Sequence, residues 1–171
     1  MTTVFVAERP PVVDAWLAER RRLGQDRRDE VWEGVLHVAP YASSGHSYVE
    51  VKLSVVLDRL AMAGGLYATG SFNLGEPEDY RVPDHGVHRT RPGPLYLPTA
   101  AVVVEVLSPG DESLAKLEFY AAHGVDEMWV ADPVQQAVRV WRLRGGGYDE
   151  TGVSEVLGTS GPAVAAELDW P

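Results

Sequence analysis

Apolar residues recur along the chain at two different spacings, and these spacings predict where helices and strands lie. The clearest helical repeat consists of His46, Val49, Leu53, Val56, Leu57 and Leu60. Residues spaced in this way share one face of a helix, and Gly64-Gly65 would end it. A shorter helix is predicted between Pro10-Pro11 and Gly24, and another over residues 113–123, before Gly124.

Alternating or continuous apolar segments predict the strands. They cover residues 31–38, 66–74, 80–87 and 100–107, followed by a hairpin of residues 128–131 and 137–143. The segment 100–107 is almost entirely apolar and rich in valine, as in a central strand that is buried on both faces. This order of elements predicts a mixed α/β (α+β, mixed-sheet) fold in a single domain over residues 1–171.

Composition narrows the kinds of site that the chain can build. Cysteine is absent, so a metal would be held by carboxylates, histidines or carbonyl oxygens, which favours Mg²⁺ or Mn²⁺. The net charge of −10 opposes nucleic-acid binding unless basic residues cluster. Such clusters occur in two places, at Arg20, Arg21, Arg22, Arg27 and Arg28 and at Arg81, Arg89 and Arg91. No secretory pattern and no apolar segment of about 18 residues is present, which makes the cytoplasm the expected location.

Glu105 is a lone carboxylate inside the apolar segment 100–107. Its burial is unfavourable unless a cation, a basic side chain or a proton compensates the charge, so a structural ion pair and a metal site are both open. Asp84 follows Pro83, which places it at a strand bend or edge. Alone it would be a turn residue. Two carboxylates on neighbouring strands, however, can bind one magnesium ion together.

Lys116 lies early in the helix that follows the Glu105 strand. If that helix packs back on the sheet, the ammonium can reach the same place and stabilise negative charge; a solvated helix lysine is the alternative. The segment Asp84-His85-Gly86-Val87-His88 offers a different metal site. On a strand, Asp84 and His88 share a face while His85 points away.

Several segments follow one another in a distinctive order. They are Asp29-Glu30-Val31-Trp32-Glu33-Gly34-Val35, His46 at the start of the long helix, Tyr80-Arg81-Val82-Pro83-Asp84, Val102-Val103-Val104-Glu105-Val106-Leu107-Ser108-Pro109-Gly110, Lys116 with Tyr120 and Gly124-Val125, and Glu127-Met128-Trp129-Val130-Ala131-Asp132-Pro133. Together they resemble the bacterial Uma-type (DUF820-like) family of putative restriction endonucleases, within the PD-(D/E)XK nuclease superfamily. The resemblance covers roughly residues 12–145.

The resemblance implies an αβββαβ core with an N-terminal helix and a β-hairpin added. It implies that Asp84, Glu105 and the carbonyl oxygen of Val106 bind Mg²⁺ or Mn²⁺, and that metal-activated water hydrolyses DNA phosphodiester bonds. The E-x-K lysine of the superfamily would fall at Leu107. The Uma-type family also lacks a lysine at that position and carries one on the following helix. This implies Lys116 as the third catalytic residue.

Glu33 and His46 correspond to accessory residues near the metal in such a fold, although a histidine at a helix start is often held by local hydrogen bonds instead. A homodimer is possible, because cutting a duplex needs two sites or two visits. Two alternatives stay open. One is a nuclease-fold protein that binds or regulates without cutting, which the charge of −10 and Leu107 favour. The other is a metal enzyme for a small molecule, with His85 or His88 as a ligand.

Overall fold

The computed structural model describes the backbone of residues 4–6, 10–108 and 113–171. Within these residues lie the helices α1 (Pro11–Arg22), α2 (Ser44–Ala63), α3 (Leu117–Ala122) and α4 (Gly161–Glu167), with a 3-10 turn at Ser113–Lys116. The strands are β1 (Val4–Val6), β2 (Glu30–Trp32), β3 (Val35–Val38), β4 (Tyr67–Thr69), β5 (Asn73–Glu76), β6 (Asp79–Arg81), β7 (His85–His88), β8 (Tyr96–Leu97), β9 (Val102–Val106), β10 (Glu127–Asp132), β11 (Ala137–Arg144), β12 (Gly147–Glu150), β13 (Val153–Ser154) and β14 (Thr159–Ser160). None of these helices is long and apolar enough to cross a membrane.

A six-stranded sheet in the order β12-β11-β10-β9-β7-β4 forms the centre of the core. β9 and β10 are parallel, with Val104 opposite Trp129, and the 3-10 turn and α3 connect them. α2 and α4 cover one face of this sheet, where Leu53 packs, and α3 covers the other face with Tyr120. The series α2-β4-β7-β9-α3-β10 is the predicted αβββαβ core, and the predicted α/β class is confirmed.

A second six-stranded sheet has the order β1-β3-β2-β6-β5-β8. Along the chain, strands of the two sheets alternate, and two of these changes of sheet fall inside segments predicted as single strands. Residues 66–74, predicted as one strand, form β4 in the core sheet and β5 in the second sheet, with a bend at Gly70-Ser71 between them. Residues 80–87 likewise divide into β6 and β7 around Val82-Pro83-Asp84. Pro83 has no N–H for a ladder, so the pairing ends there. Asp84 therefore lies at the junction of the two sheets.

The C-terminal segment is attached to the core through Glu127, which is fully buried. Its carboxylate accepts hydrogen bonds from the hydroxyl of Ser154 (2.6 Å), the indole of Trp129 (3.1 Å) and the N–H groups of Glu155 and Val156. Four donors satisfy a buried carboxylate without a cation. α4 follows and was not expected as a helix, although Ser160 caps it and Pro162 lies in its first turn.

α1 lies on the outside of the described structure. It contributes no buried residue, and its apolar residues Val12 and Trp16 are 74% and 44% exposed. Near its C-terminal end, Arg20 contacts Asp29 at 2.8 Å. This ion pair ties the helix to the residue before β2.

Candidate metal centre and its surroundings

Asp84 is held at the sheet junction by the central strand. The backbone N–H of Val106, the last residue of β9, donates to Oδ2 of Asp84 at 2.8 Å. The Asp84 side chain is buried, with 6% of the residue exposed. One carboxylate oxygen is thus fixed by the strand that carries Glu105, and Oδ1 points to other partners.

Those partners come from α2. Ser43 caps this helix by accepting the N–H of His46 (3.1 Å), and Glu50 lies one turn further on. Oδ1 of Asp84 is 3.3 Å from Nε2 of His46, and the same nitrogen is 3.7 Å from Oε2 of Glu50. His46, Glu50 and Asp84 each offer a ligand atom, and the three atoms lie within 4.8 Å of one another. We call these residues the acidic cluster.

Arg28 closes the acidic cluster from the loop before β2. Its guanidinium contacts Oδ1 of Asp84 at 2.6 Å and Oε1 of Glu50 at 2.5 Å. The arginine side chain is 36% exposed, whereas those of the two acids are 7% and 14% exposed. Arg28 therefore supplies positive charge to two carboxylates that are shielded from water.

These contacts set the protonation of the acidic cluster. Burial by itself would raise the pKa of Asp84, but the hydrogen bond and charge of His46, the N–H of Val106 and the charge of Arg28 together lower it below its ordinary value. Burial lowers the pKa of His46, but Asp84 and Glu50 more than offset this, and the net direction is upward. Asp84 is therefore ionised at neutral pH, as a metal ligand must be.

Glu105 belongs to a second buried group, close enough to the acidic cluster for the charge of Asp84 to act on it. Its Oε1 is 3.0 Å from Nζ of Lys116 and accepts the hydroxyl of Tyr120 at 2.6 Å. Nζ of Lys116 is also 2.8 Å from Oε1 of Glu30, in β2. Glu30, Glu105, Lys116 and Tyr120 are each at most 9% exposed. We call these four residues the lysine cluster.

The lysine cluster has two carboxylates for one ammonium. Burial raises the pKa of Glu105 to about 8, although Lys116 opposes the shift. The pKa of Lys116 is also raised, because Glu105 and Glu30 outweigh the effect of its burial. Lys116 thus stays charged, and Glu105 takes up a proton more easily than an exposed glutamate.

The predicted residues fall into these two groups. Asp84 and His46 lie in the acidic cluster, and Glu105 and Lys116 lie in the lysine cluster, bridged by the Val106 N–H bond to Asp84. Lys116 reaches Glu105 although Leu107 occupies the E-x-K position, while Pro109 and Gly110 of the motif lie outside the described residues.

Glu33 has a different environment. It lies in the exposed turn between β2 and β3 at a positive φ of 51°, and its N–H donates to Asp79. Among the described residues of this hairpin, Glu30 and not Glu33 contacts Lys116 through its carboxylate. The accessory role implied for Glu33 stays a prediction.

The alternative site built on histidines of β7 is not assembled. Nε2 of His88 lies 3.0 Å from the hydroxyl of Thr69, and its ring packs on Phe72. Among the described residues, the group able to hold a metal contains neither His85 nor His88. Burial lowers the pKa of both rings, which fits neutral histidines packed inside the sheet.

Four residues that form or contact the two clusters were not singled out from the sequence as functional: Arg28, Glu30, Glu50 and Tyr120. Glu50 could have been found, because it follows His46 at helical i, i+4 spacing. Glu30 and Tyr120 lie inside the segments that carry the family resemblance. Arg28 gives no signal of its own within a run of arginines.

The donor set of the acidic cluster suits a hard divalent ion. Two carboxylates and one imidazole within reach of one point can hold Mg²⁺ or Mn²⁺, with other oxygens completing the octahedron. Arg28 already occupies the position of a compensating cation. The donor set therefore fits a metal ion, with which Arg28 would compete for Asp84 and Glu50.

Comparison with known proteins agrees with this architecture. No curated protein matches the chain. The crystal structure of a putative nuclease of DUF820 from Anabaena variabilis ATCC 29413 is similar, with a TM-score of 0.65 and 18% sequence identity over 81% of this chain and 90% of the other. At that identity the likeness concerns the fold. The family model of Uma2, described as a putative restriction endonuclease, matches residues 16–169. The chain therefore belongs to the Uma2 family of putative restriction endonucleases.

Proposed function

We propose that this protein is a metal-dependent endonuclease that hydrolyses DNA phosphodiester bonds, with Mg²⁺ or Mn²⁺ as its cofactor. Asp84, Glu105 and Lys116 are its catalytic residues. Asp84, Glu105 and the carbonyl oxygen of Val106 hold the ion, and His46 and Glu50 are additional candidate ligands from α2. The family match and the donor set of the acidic cluster support this proposal.

One observation carries the proposal. The buried ammonium of Lys116 lies 3.0 Å from Glu105, and the residue after Glu105 hydrogen-bonds Asp84 through its N–H. Lys116 thus places next to Glu105 the positive charge that Leu107, at the E-x-K position, does not carry. A positive charge near the reacting phosphate stabilises the negative charge that develops there.

Each residue has a distinct task in this proposal. The N–H of Val106 fixes Oδ2 of Asp84, so that Oδ1 stays directed towards His46 and Arg28. Glu30 and Glu105 hold the ammonium of Lys116, and the hydroxyl of Tyr120 holds Glu105. Lys116 supplies the positive charge that faces the phosphate. When bound, a divalent ion lowers the pKa of a water and offsets charge on the phosphate.

The test is cleavage of supercoiled plasmid and of labelled oligonucleotides with Mg²⁺ or Mn²⁺. We expect Asp84→Asn, Glu105→Gln and Lys116→Met to reduce the rate by about 100-fold or more, as losses of charged catalytic groups do. Asp149→Asn, in the exposed strand β12, is the matched control. Circular dichroism spectra must show that the variants are folded. Wild-type rates in both Asp84→Asn and Glu105→Gln would show that the site is wrong.

A calorimetric Mn²⁺ titration, read together with the cleavage assay, separates the nuclease from its non-cutting alternatives. A binding or regulatory protein with an intact centre would take up the ion and leave DNA uncut. A scaffold without a metal centre would show the same heat in wild type and in Asp84→Asn.

The proposal also includes a single nuclease-like domain over residues 1–171, a cytoplasmic location and a homodimer. A dimer would let two centres act on the two strands of a duplex. Sedimentation equilibrium with and without a short duplex tests the oligomeric state, because a monomer under both conditions contradicts this part.

A further inference from the structure

A cavity of about 340 Å³ lies directly beside the acidic cluster. The end of α1, the loop before β2 and the segment that leads from β3 into α2 form its walls, through Arg20, Gly24, Arg27, Arg28, Tyr41 and Ser47. Arg28 belongs to this wall and also contacts Asp84 and Glu50 of the acidic cluster. The cavity and the candidate metal centre therefore share the side chain of Arg28.

The arginines of the cavity differ in what they contact. Arg20 is engaged by Asp29 and by the carbonyl of Gln25, both at 2.8 Å, so it stabilises the wall. Arg27 is exposed, and across the ranges 10–108 and 113–171 no carboxylate lies within ion-pair distance of it. The chain has 25 acidic and 15 basic residues. An uncompensated arginine in a concave site of such a chain favours an external anion.

Two further features fit a nucleotide better than a simple ion. Tyr41 lines the same cavity and is 83% exposed, which leaves its ring face free for stacking. Ser47 lies in the first turn of α2, at the end of the helix that carries positive partial charge. Arginines beside an exposed aromatic ring are the combination by which proteins hold single-stranded nucleic acid.

We propose that this cavity binds the nucleotide next to the scissile phosphodiester, with its phosphate on Arg27 and Arg28 and its unpaired base on Tyr41. The inference rests on the proposed nuclease function and adds the surface along which the strand runs. The volume of about 340 Å³ suits one nucleotide. Arg28 then joins the two sites, because it lies between the held phosphate and the acidic cluster.

The experiment measures fluorescence polarisation of a labelled single strand and of its duplex, with Ca²⁺ as the divalent ion and a gel to check that the DNA stays intact. The variants are Arg27→Ala and Tyr41→Ala, two exposed residues whose loss leaves the core unchanged. Arg144→Ala is the control: it is also exposed and without an ion pair in the described ranges, and it lies at the opposite end of the sheet, beyond the pair Glu127 and Arg142.

We expect Arg27→Ala to weaken binding of both DNA forms and to reduce the salt dependence by about one phosphate contact. Tyr41→Ala should weaken single-strand binding by roughly 5- to 100-fold and affect the duplex much less. Arg144→Ala should bind like wild type.

The outcomes separate the two proposals. If wild type cuts and binds DNA while Arg27→Ala and Tyr41→Ala behave like Arg144→Ala, the cavity is wrong and the nuclease stands. If Tyr41→Ala alone has no effect, base stacking is wrong and the phosphate contact remains. If wild type neither binds nor cuts DNA, the proposed function fails and this inference fails with it.

Discussion

The ammonium of Lys116 lies 2.8 Å from Oε1 of Glu30 and so links the helical crossover of the core to a hairpin of the second sheet. The Glu30 carboxylate is itself held by the N–H of Val82 at 2.7 Å and by the indole of Trp32 at 2.6 Å. These two hydrogen bonds orient the Glu30 carboxylate independently of Lys116. The added hairpin is part of the lysine cluster.

Glu30→Gln tests this link. The amide replaces one acceptor oxygen of Glu30 by an NH2 group, which can only donate. Since Trp32, Val82 and Lys116 also donate, one of them loses its acceptor. We expect a loss of about 1–3 kcal/mol in the free energy of unfolding and slower DNA cleavage, measured by urea denaturation and plasmid assay. Glu78→Gln, in the exposed turn between β5 and β6 of the same sheet, should change neither quantity. Equal stability of Glu30→Gln and wild type would show that Glu30 does not hold Lys116.

Arg28→Ala tests whether this arginine acts as the cation of the acidic cluster. Without metal, Asp84 and Glu50 lose their positive partner, and we expect the free energy of unfolding in EDTA to fall by about 1–2 kcal/mol. Mn²⁺ should then raise the melting temperature more than in wild type, because Arg28 no longer competes with the ion. Arg139→Ala breaks an exposed pair with Glu150 and provides the control. A smaller Mn²⁺ effect in Arg28→Ala than in wild type contradicts this role.

The raised pKa of Glu105, about 8, predicts a pH dependence of stability in the metal-free protein. Between about pH 5 and pH 8 the folded protein keeps a proton on Glu105 that the unfolded chain releases. Stability should therefore fall as pH rises, by up to about 1.4 kcal/mol per pH unit. Urea denaturation in EDTA at several pH values should show this slope in wild type and its loss in Glu105→Gln. Saturating Mn²⁺ should reduce the slope, because the ion binds the ionised carboxylate.

Glu127→Ala should destabilise the protein without touching the candidate centre. The substitution leaves the Ser154 hydroxyl, the Trp129 indole and two N–H groups without their buried acceptor. We expect a loss of about 3 kcal/mol or more in the free energy of unfolding. Calorimetry at a temperature where the variant is folded should give wild-type Mn²⁺ binding. Weaker binding there would show that the C-terminal segment supports the metal centre.

The order of the core elements could be predicted because their signals are local. Helical spacing between His46 and Leu60 and the valines of 102–106 each follow from a few neighbouring residues, and α2 and β9 lie where these patterns indicate. The two predicted strands that divide between sheets are the exception. The missing donor of Pro83 was visible in the sequence, but the bend at Gly70-Ser71 was found only in the structure, and the sheet that accepts each half is a tertiary property.

The sequence by itself determined the chemistry that the chain carries: a lone glutamate in a buried strand, an aspartate after a proline, a lysine in the next helix and no cysteine. Tertiary structure decided which groups meet. Arg28 and Asp84 are 56 positions apart and Glu30 lies far from Lys116 in the chain, so no spacing rule links them. They meet because the chain changes sheets at Pro83 and because the crossover to β10 turns Lys116 back over β9. Buried charges then required partners, and these long-range contacts divided the predicted acidic pair into two adjoining clusters.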